Sequence, residues 1–207
     1  MDIKGSSIQA FLDELASSSA TPGGGTAAAL AGAAGAALIG MVCNLTIGRP
    51  RFAAAEDDLR AALAQAETLR GQLAALAEAD TGAFNQVMAA YRLPKDSDEQ
   101  QIARQTAIQA ALKQATRVPL ETAIDCAAAL RLVGRIIAHI NPNALSDAGT
   151  AAVLAEAGLR GAQFNVAVNL AGIQDAQFVQ EARQALAQAL EGTGEERERV
   201  IAYVLGA

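Results

Sequence analysis

The stretch that decides the fold is "SATPGGGTAAALAGAAGAALIGMVCNL", residues 19–45. After its proline and three glycines, it runs without a charged residue through alanine, glycine and larger apolar residues for the length of a long helix. Three interpretations compete: a membrane span, a nucleotide-binding turn, or a ligand-facing corner that begins a buried helix.

Composition and context weaken the first two interpretations. Alanine and glycine contribute little transfer free energy, and no basic cluster precedes the run. Residues 23–28 fit G-x-G-x-x-A, but that pattern binds dinucleotides only after a strand, and the residues before it have helical periodicity. Glycines do let a backbone approach a ligand at a helix N-terminus, where free N–H groups carry partial positive charge. A simple packing corner between helices explains the glycines equally well at this point.

The composition of the whole chain favours an all-α fold. Of the 207 residues, 52% are hydrophobic, with alanine prominent, and only 3% are aromatic. Small side chains let helices approach closely, so we expect residues 1–207 to form a single-domain bundle of long antiparallel helices. The two cysteines lie far apart in apolar helical sequence, which predicts buried free thiols.

The net charge and the N-terminal sequence limit which partners the protein can bind and where in the cell we expect it. The net charge of −6 argues against general nucleic-acid binding, which needs a basic surface to neutralise phosphates. The N-terminal sequence lacks the basic start and apolar core of a secretion signal, so we expect a cytoplasmic protein without a membrane partner. The only histidine, His139, excludes a multi-histidine zinc site, and we expect any chemistry to run without metal or nucleotide.

Apolar periodicity predicts a series of helices separated by clear breaks. Ser97 begins a capping box with Gln100, and Asp175 is expected to cap the last helix. Pro119 should kink or divide its helix, because proline lacks the N–H and clashes with the preceding turn. The predicted helices cover residues 6–18, 26–46, 52–91, 98–139 and 147–170 and the stretch after 175, with a break near 191–196.

Asp80 interrupts an otherwise apolar stripe of the third predicted helix, between Leu76 and Phe84. A carboxylate on a buried stripe is costly unless it is paired, protonated or used in chemistry. Asp80 is therefore a candidate functional acid, and pairing with an arginine or a backbone donor is the structural alternative.

A second polar cluster precedes the fifth predicted helix. It comprises Asn141, Asn143, Ser146 and Asp147. Capping of the helix by Ser146 or Asp147 would explain one of these residues, but it does not explain why all four occur together. Asn165 and Asn169 follow at i and i+4, so one face of this apolar helix carries two amides.

Four stretches together resemble the cyclodeaminase/cyclohydrolase family, which comprises the C-terminal half of formiminotransferase-cyclodeaminase and free-standing methenyltetrahydrofolate cyclohydrolases. They are "FLDELASSSATPGGGTAAALAGAAGAALIGMVCNLTIG", "ADTGAFNQVMAAYRLPK", "SDAG" and "GAQFNVAVNL". The resemblance extends from Phe11 to about Leu186. The Pro-Gly-Gly-Gly and Asp-x-x-x-Phe blocks, separated by this distance, are its most specific part.

The resemblance implies an all-α homodimer that binds a tetrahydrofolate derivative, with or without a polyglutamate tail, and acts on its one-carbon bridge without metal. The implied catalytic residues are Asp147, Asp80 and Lys95. The implied substrate-binding residues are Pro22, Gly23, Gly24, Gly25, Ser146, Asn165 and Asn169. The polar loop residues Asn141 and Asn143 and the basic residues Arg49 and Arg51, which follow the second predicted helix, are further candidates for binding the substrate. One aspartate would take a proton from water, and the basic residues would meet the glutamate tail. These roles require both aspartates and the glycine corner to meet in one cavity, within one chain or after a twofold mate is added.

The chain departs from the family's usual residues in two places. Ile140-Asn141 stands where Gly-Asn is usual, which adds a side chain beside a binding loop. Pro50 stands where a second basic residue is usual, which removes a charge. Both differences concern the fit of the substrate more than the class of reaction.

Three functions remain open from the sequence. We favour hydrolysis of 5,10-methenyltetrahydrofolate to 10-formyltetrahydrofolate, because no formiminotransferase half accompanies these residues to supply a formimino substrate. The related cyclodeaminase reaction, which releases ammonia from 5-formiminotetrahydrofolate, needs acid–base groups around the same carbon. A non-catalytic helical interaction module is the alternative of another class.

Overall fold

Seven α-helices account for most of the described chain, and the computed structural model describes residue 3 and residues 5–206. The helices are α1 (Ile8–Leu15), α2 (Gly24–Asn44), α3 (Glu56–Tyr91), α4 (Asp98–Ile136), α5 (Leu145–Leu170), α6 (Ala176–Leu190) and α7 (Thr193–Leu205). Three short 3-10 turns precede α3 and link α4 to α5, at Pro50–Ala55, Ile137–His139 and Pro142–Ala144. The described residues contain no strand, so the all-α prediction is confirmed.

Helices α2 to α5 form an up-down-up-down bundle in which chain neighbours are antiparallel and α5 closes back on α2. Gly25 lies against Asp80, whereas Gly40 lies against Glu67 near the other end of α2, which fixes the direction of α3. Helices α6 and α7 pack outside this bundle, chiefly on α4 and α5. Long helices joined by short loops give this topology directly.

The tightest helix contact explains why α2 is rich in glycine. Gly32, Gly158 and the buried Cys126 meet where α2, α4 and α5 cross. A Cβ added at Gly158 would lie 2.7 Å from the Ala28 carbonyl oxygen and 2.7 Å from the Cys126 Sγ atom. The core is therefore built by close backbone approach, and both cysteines are buried free thiols, as predicted.

Local capping signals predicted two helix starts correctly and one wrongly. The Ser97 hydroxyl accepts from the Gln100 N–H, and the Asp175 carboxylate accepts from the Phe178 N–H. Helix α5 instead starts at Leu145 without a side-chain cap, so capping by Ser146 or Asp147 is wrong. The side chain of Asn141 caps the preceding 3-10 turn, which runs straight into α5 and places Asp147 inside the first helical turn.

Helix α4 continues through Pro119 without the predicted division. The proline cannot donate to the carbonyl of Ala115, four residues earlier. Another side chain satisfies that carbonyl: Asn169 Nδ2 on α5 donates to it over 2.7 Å. A tertiary hydrogen bond thus replaces the missing helical one and lets the helix continue.

Helix α2 is the one described helix whose length and composition would allow it to cross a membrane, but 61% of its most apolar stretch is buried inside the bundle. It serves as a core helix in this fold. Its outward face, which includes Ala34, Ala37 and Met41, is exposed and carries no charged residue.

Candidate functional site

A cavity of about 270 Å³ lies at one end of the bundle, directly above the N-terminus of α2. It forms because α2 begins at Gly24, beside Asp80, whereas α3 runs on to Tyr91 and so extends past that start. The triglycine corner covers the gap. The cavity is lined by Ala20, Thr21, Gly23, Gly24, Gly25, Asp80, Ala83, Phe84, Val87, Leu112, Ala115, Asn165 and Asn169.

Asp80 is the one charged side chain in the described lining of this cavity. Its Oδ2 accepts a 2.8 Å hydrogen bond from the hydroxyl of Thr26 on α2. Burial raises the pKa of Asp80 above its ordinary value, and the hydroxyl and backbone N–H of Thr26 oppose that rise. The carboxylate also lies at the N-terminus of α2, whose residue Gly23 offers no side-chain cap, so Asp80 takes the place of a capping residue.

Two amides present acceptors to the same cavity. Asn165 Nδ2 donates to the Gly161 carbonyl over 2.9 Å, and Asn169 Nδ2 donates to Ala115. Because both amide nitrogens are engaged by backbone carbonyls, the oxygens of both side chains are left to bind a ligand. The opposite wall, which includes Phe84, Val87 and Leu112, is apolar. This combination suits a flat heterocycle with N–H groups along one edge or a positive charge.

The structure places a second group of predicted site residues at the far end of α2. Asn141 is buried there, its N–H donates to the Thr46 hydroxyl, and its Nδ2 donates to the Leu45 carbonyl. Asn141 therefore anchors the loop before α5. The other members of this far-end group are Arg49, Arg51, Asn143, Ser146 and Asp147.

Within one chain the two groups are remote from each other. Asp147 and Asn165 lie on the same helix 18 residues apart, which corresponds to about 27 Å. Asp80 and Asp147 therefore do not share a cavity within a single chain, because α5 is long, and the prediction that a twofold mate brings them together stays a prediction. Lys95 is exposed in the loop between α3 and α4 and does not line the cavity either. Pro22 is buried beside the corner, after a cis Thr21–Pro22 bond, and is not part of the lining.

Thr26 is not among the site residues predicted from the sequence, although the sequence contains a signal for it. Thr26 is the only residue with a hydroxyl between Gly23 and Cys43, in a run that is otherwise apolar, and it is fully buried. A buried hydroxyl in such a run needs a partner. The apolar lining from α4, at Leu112 and Ala115, had no comparable sequence signal.

No group of three or more histidine, cysteine, aspartate or glutamate side chains capable of holding a metal ion is found in residue 3 and residues 5–206. The chemistry that the cavity offers comes from one carboxylate, amide oxygens and the N-terminus of a helix.

A helical bundle with a carboxylate at the bottom of a partly apolar end cavity has the features of a small-molecule binding protein or enzyme. The formiminotransferase-cyclodeaminase family model matches residues 7–188, and this chain belongs to that family.

Individual relatives agree with this assignment. The chain is 47% identical over 193 residues to a methenyltetrahydrofolate cyclohydrolase of Methylorubrum extorquens, covering 93% of each protein. It is 35% identical to the formimidoyltransferase-cyclodeaminase of Rattus norvegicus, covering 97% of this chain and 36% of the rat protein. The crystal structure of formiminotetrahydrofolate cyclodeaminase from Thermotoga maritima superposes with a TM-score of 0.89 at 28% identity, covering 99% and 98% of the two chains.

Proposed function

We propose that this protein is a methenyltetrahydrofolate cyclohydrolase, which hydrolyses 5,10-methenyltetrahydrofolate to 10-formyltetrahydrofolate. The observation that carries the proposal is the single carboxylate, Asp80, in an end cavity of a chain that matches a named cyclohydrolase along 93% of both lengths. The substrate is a cation, and a cavity whose one charged group is a carboxylate stabilises positive charge.

The chemistry needs one proton acceptor close to the bridging carbon. As the oxygen of water bonds to that carbon, an O–H bond breaks and Asp80 takes the proton. The hydroxyl group formed on that carbon then loses its own proton as the C=O double bond forms, the bond between the carbon and N5 breaks, and N5 takes up a proton. The formyl group remains on N10, and one proton is released overall. Asp80 suits this role because burial raises the pKa of its carboxyl toward the working pH.

The size of the cavity limits which part of the folate it can hold. A volume of about 270 Å³ is at the small end of the range for ligand pockets. The pterin ring and the one-carbon bridge would therefore fill this cavity, and the glutamate tail would lie outside it. The exposed Lys95 remains a candidate for meeting the tail, and Arg49 and Arg51, which lie at the far end of α2, could meet it only from a partner subunit. The proposed protein is cytoplasmic and uses no metal, nucleotide, nucleic acid or membrane.

The protein acts as a homodimer in this proposal. Surface helices normally carry charge on their outward face, yet α2 has no charged residue, and Phe164 and Val168 on α5 are 67% and 74% exposed. A second copy of the chain would cover these apolar faces. In a twofold dimer with antiparallel long helices, the far end of one subunit lies beside the cavity of the other. Asp147 of the partner subunit would then approach Asp80.

The decisive experiment follows the loss of methenyl absorbance when the protein is added to 5,10-methenyltetrahydrofolate, above the spontaneous rate. We expect saturable catalysis by the wild-type chain. In parallel, 5-formiminotetrahydrofolate is supplied and released ammonia is measured. A chain that opens the methenyl ring at the spontaneous rate contradicts the proposal.

Cyclodeaminase activity is the second candidate, favoured by the likeness of the fold to the Thermotoga enzyme. Ammonia release from 5-formiminotetrahydrofolate that exceeds ring opening would support it. A non-catalytic interaction module would show neither activity and no thermal stabilisation by folate. A folate binder gains about 2.7 kcal/mol at a hundredfold excess of ligand over the dissociation constant.

A further inference from the structure

The hydroxyl of Thr26 on α2 donates a hydrogen bond to the carboxylate of Asp80 on the neighbouring helix α3. The side chain of Thr26 is fully buried in the first turn of α2, and its hydroxyl donates to Asp80 Oδ2 over 2.8 Å. This bond joins residues that are 54 positions apart in the sequence. A carboxylate oxygen can only accept, so the hydroxyl proton must point at Asp80.

Other buried threonines of the bundle use their hydroxyls differently. Those of Thr116 and Thr122 donate to the carbonyls of Leu112 and Val118, one turn back in their own helix. That local bond is the common behaviour of a helical threonine. The hydroxyl of Thr26 instead serves a side chain on another helix.

The carboxylate of Asp80 is confined on its other side by Gly25. A Cβ added at Gly25 would lie 2.7 Å from the Asp80 carboxyl carbon, so only glycine leaves room for this position. Among the described residues, no side chain other than that of Thr26 donates to the carboxylate. The backbone N–H of Thr26 is a further donor to this carboxylate, and Oδ1 is the carboxylate atom that lies nearest to Gly25.

We propose that Thr26 is a positioning residue for the cyclohydrolase reaction, whose hydroxyl holds Oδ2 of Asp80 and thereby fixes the orientation in which the carboxylate accepts the proton. Thr26 does not line the cavity and acts only through Asp80. The inference rests on the proposed function and names a residue that this function did not require. No second charged group in the described lining competes with Asp80 for the proton.

The test compares Thr26→Val, which keeps the shape and removes the hydroxyl, with Thr26→Ser, which keeps the hydroxyl. We expect Thr26→Val to lower kcat about 10- to 100-fold, because the carboxylate loses its fixed orientation, and to change KM less. The acid limb of the pH profile of kcat/KM should move to higher pH in this variant, because the hydrogen bond from the Thr26 hydroxyl, which favours ionised Asp80, is lost. Thr26→Ser should restore both properties.

The matched control is Thr122→Val, the same exchange at a buried threonine that bonds only within its own helix. It should leave kcat and the acid limb unchanged even if it lowers Tm. If Thr26→Val does not fold, Thr26→Ala replaces it in the same comparison.

The inference is overturned if the variant without the hydroxyl keeps the wild-type kcat and acid limb, or if Thr26→Ser is impaired equally. These results require an active wild-type chain. Absence of wild-type turnover would instead contradict the proposed function itself.

Discussion

Asn169 on α5 donates to the carbonyl of Ala115 on α4, the carbonyl that Pro119 leaves without its helical donor. The proline thus creates an acceptor inside α4, and the amide that fills it is one of the cavity's polar groups. A missing hydrogen bond in one helix thereby fixes the orientation of a side chain on another.

This relationship predicts energetic coupling between Pro119 and Asn169. Asn169→Ala should cost about 1–3 kcal/mol of unfolding free energy, because a buried carbonyl loses its partner. In a Pro119→Ala background the helix supplies the missing N–H, so the same change should cost less. Urea unfolding of the four proteins of this double-mutant cycle measures the difference. Equal costs in both backgrounds would show that the carbonyl does not depend on Asn169.

Asp80 is predicted to serve both as base and as the cap of α2, and two substitutions separate these roles. Asp80→Asn keeps an oxygen that can accept from Thr26, so stability should change little while activity falls about 100- to 10,000-fold. Asp80→Ala removes both roles and should also lower Tm. Turnover and thermal unfolding of both variants test this prediction. Full activity of Asp80→Asn would exclude Asp80 as the base.

A shared site between two subunits predicts that inactive variants complement each other. Asp80→Asn and Asp147→Asn should each lose activity alone, because each subunit then lacks one half of every site. Mixed after unfolding and refolding together, they should regain about a quarter of the wild-type sites, since half of the dimers are mixed and each has one intact site. No recovery from two inactive variants would exclude a site completed by the partner subunit.

The uncharged outward face of α2 is predicted to hold the dimer together. Ala37→Glu places a charge on this exposed face and should give monomers, together with loss of any activity that needs the partner. Ala103→Glu, on an exposed face of α4, is the matched control and should stay dimeric. Light scattering coupled to size exclusion gives the mass of each. A wild-type monomer, or a dimeric Ala37→Glu variant, would contradict this interface.

Substitution of glycine by alanine should have opposite effects on the free energy of unfolding at two positions. Gly158→Ala drives a methyl group into the Ala28 carbonyl and the Cys126 thiol, and overpacking of this kind costs about 1–3 kcal/mol. Gly82→Ala, which meets nothing within 4 Å, should add about 0.5–1 kcal/mol of helix stability. Urea unfolding of both variants checks the sign as well as the size.

Asp125, in the groove between α3 and α4, should make the stability of the protein depend on pH. Burial and then the charge of Glu121 raise the pKa of Asp125 to about 6, from 3.8. The folded state therefore binds the proton more tightly, and this residue's contribution to stability falls as pH rises through that window. Asp125→Asn should be more stable than wild type above about pH 6 and indistinguishable from it well below pH 4. Unfolding at both pH values tests the direction.

Features set by neighbouring residues could be predicted from the sequence. Ser97 and Asp175 cap helices because their acceptors need only a backbone N–H three residues on, and the glycine–alanine composition of α2 predicts close helix packing. The start of α5 could not be read in the same way. There, Asn141 and Pro142 form a 3-10 turn that merges into the helix and removes the need for a cap.

The candidate site was predictable only in part, because it depends on how far each helix extends beside its neighbours. The apolar stripe around Asp80 and the amides of Asn165 and Asn169 indicated residues that do meet at one cavity. Their separation from Asp147 follows from the length of α5, which the sequence predicts. That Asp80 lies at the same end of the bundle as Asn165 follows from the alignment of α2, α3 and α5, which no local pattern encodes. The bond between Thr26 and Asp80 is likewise a product of tertiary register.

The two buried cysteines, Cys126 at the crossing of α2, α4 and α5 and Cys43 near the end of α2, also provide a built-in reporter. Burial raises the pKa of the Cys126 thiol to about 12 and that of Cys43 to about 11, so neither side chain supplies a reactive thiolate while the helices stay together. Only separation of the helices exposes them to an aromatic disulfide reagent. The rate at which such a reagent labels the native protein therefore measures how often the bundle opens, without any engineered probe.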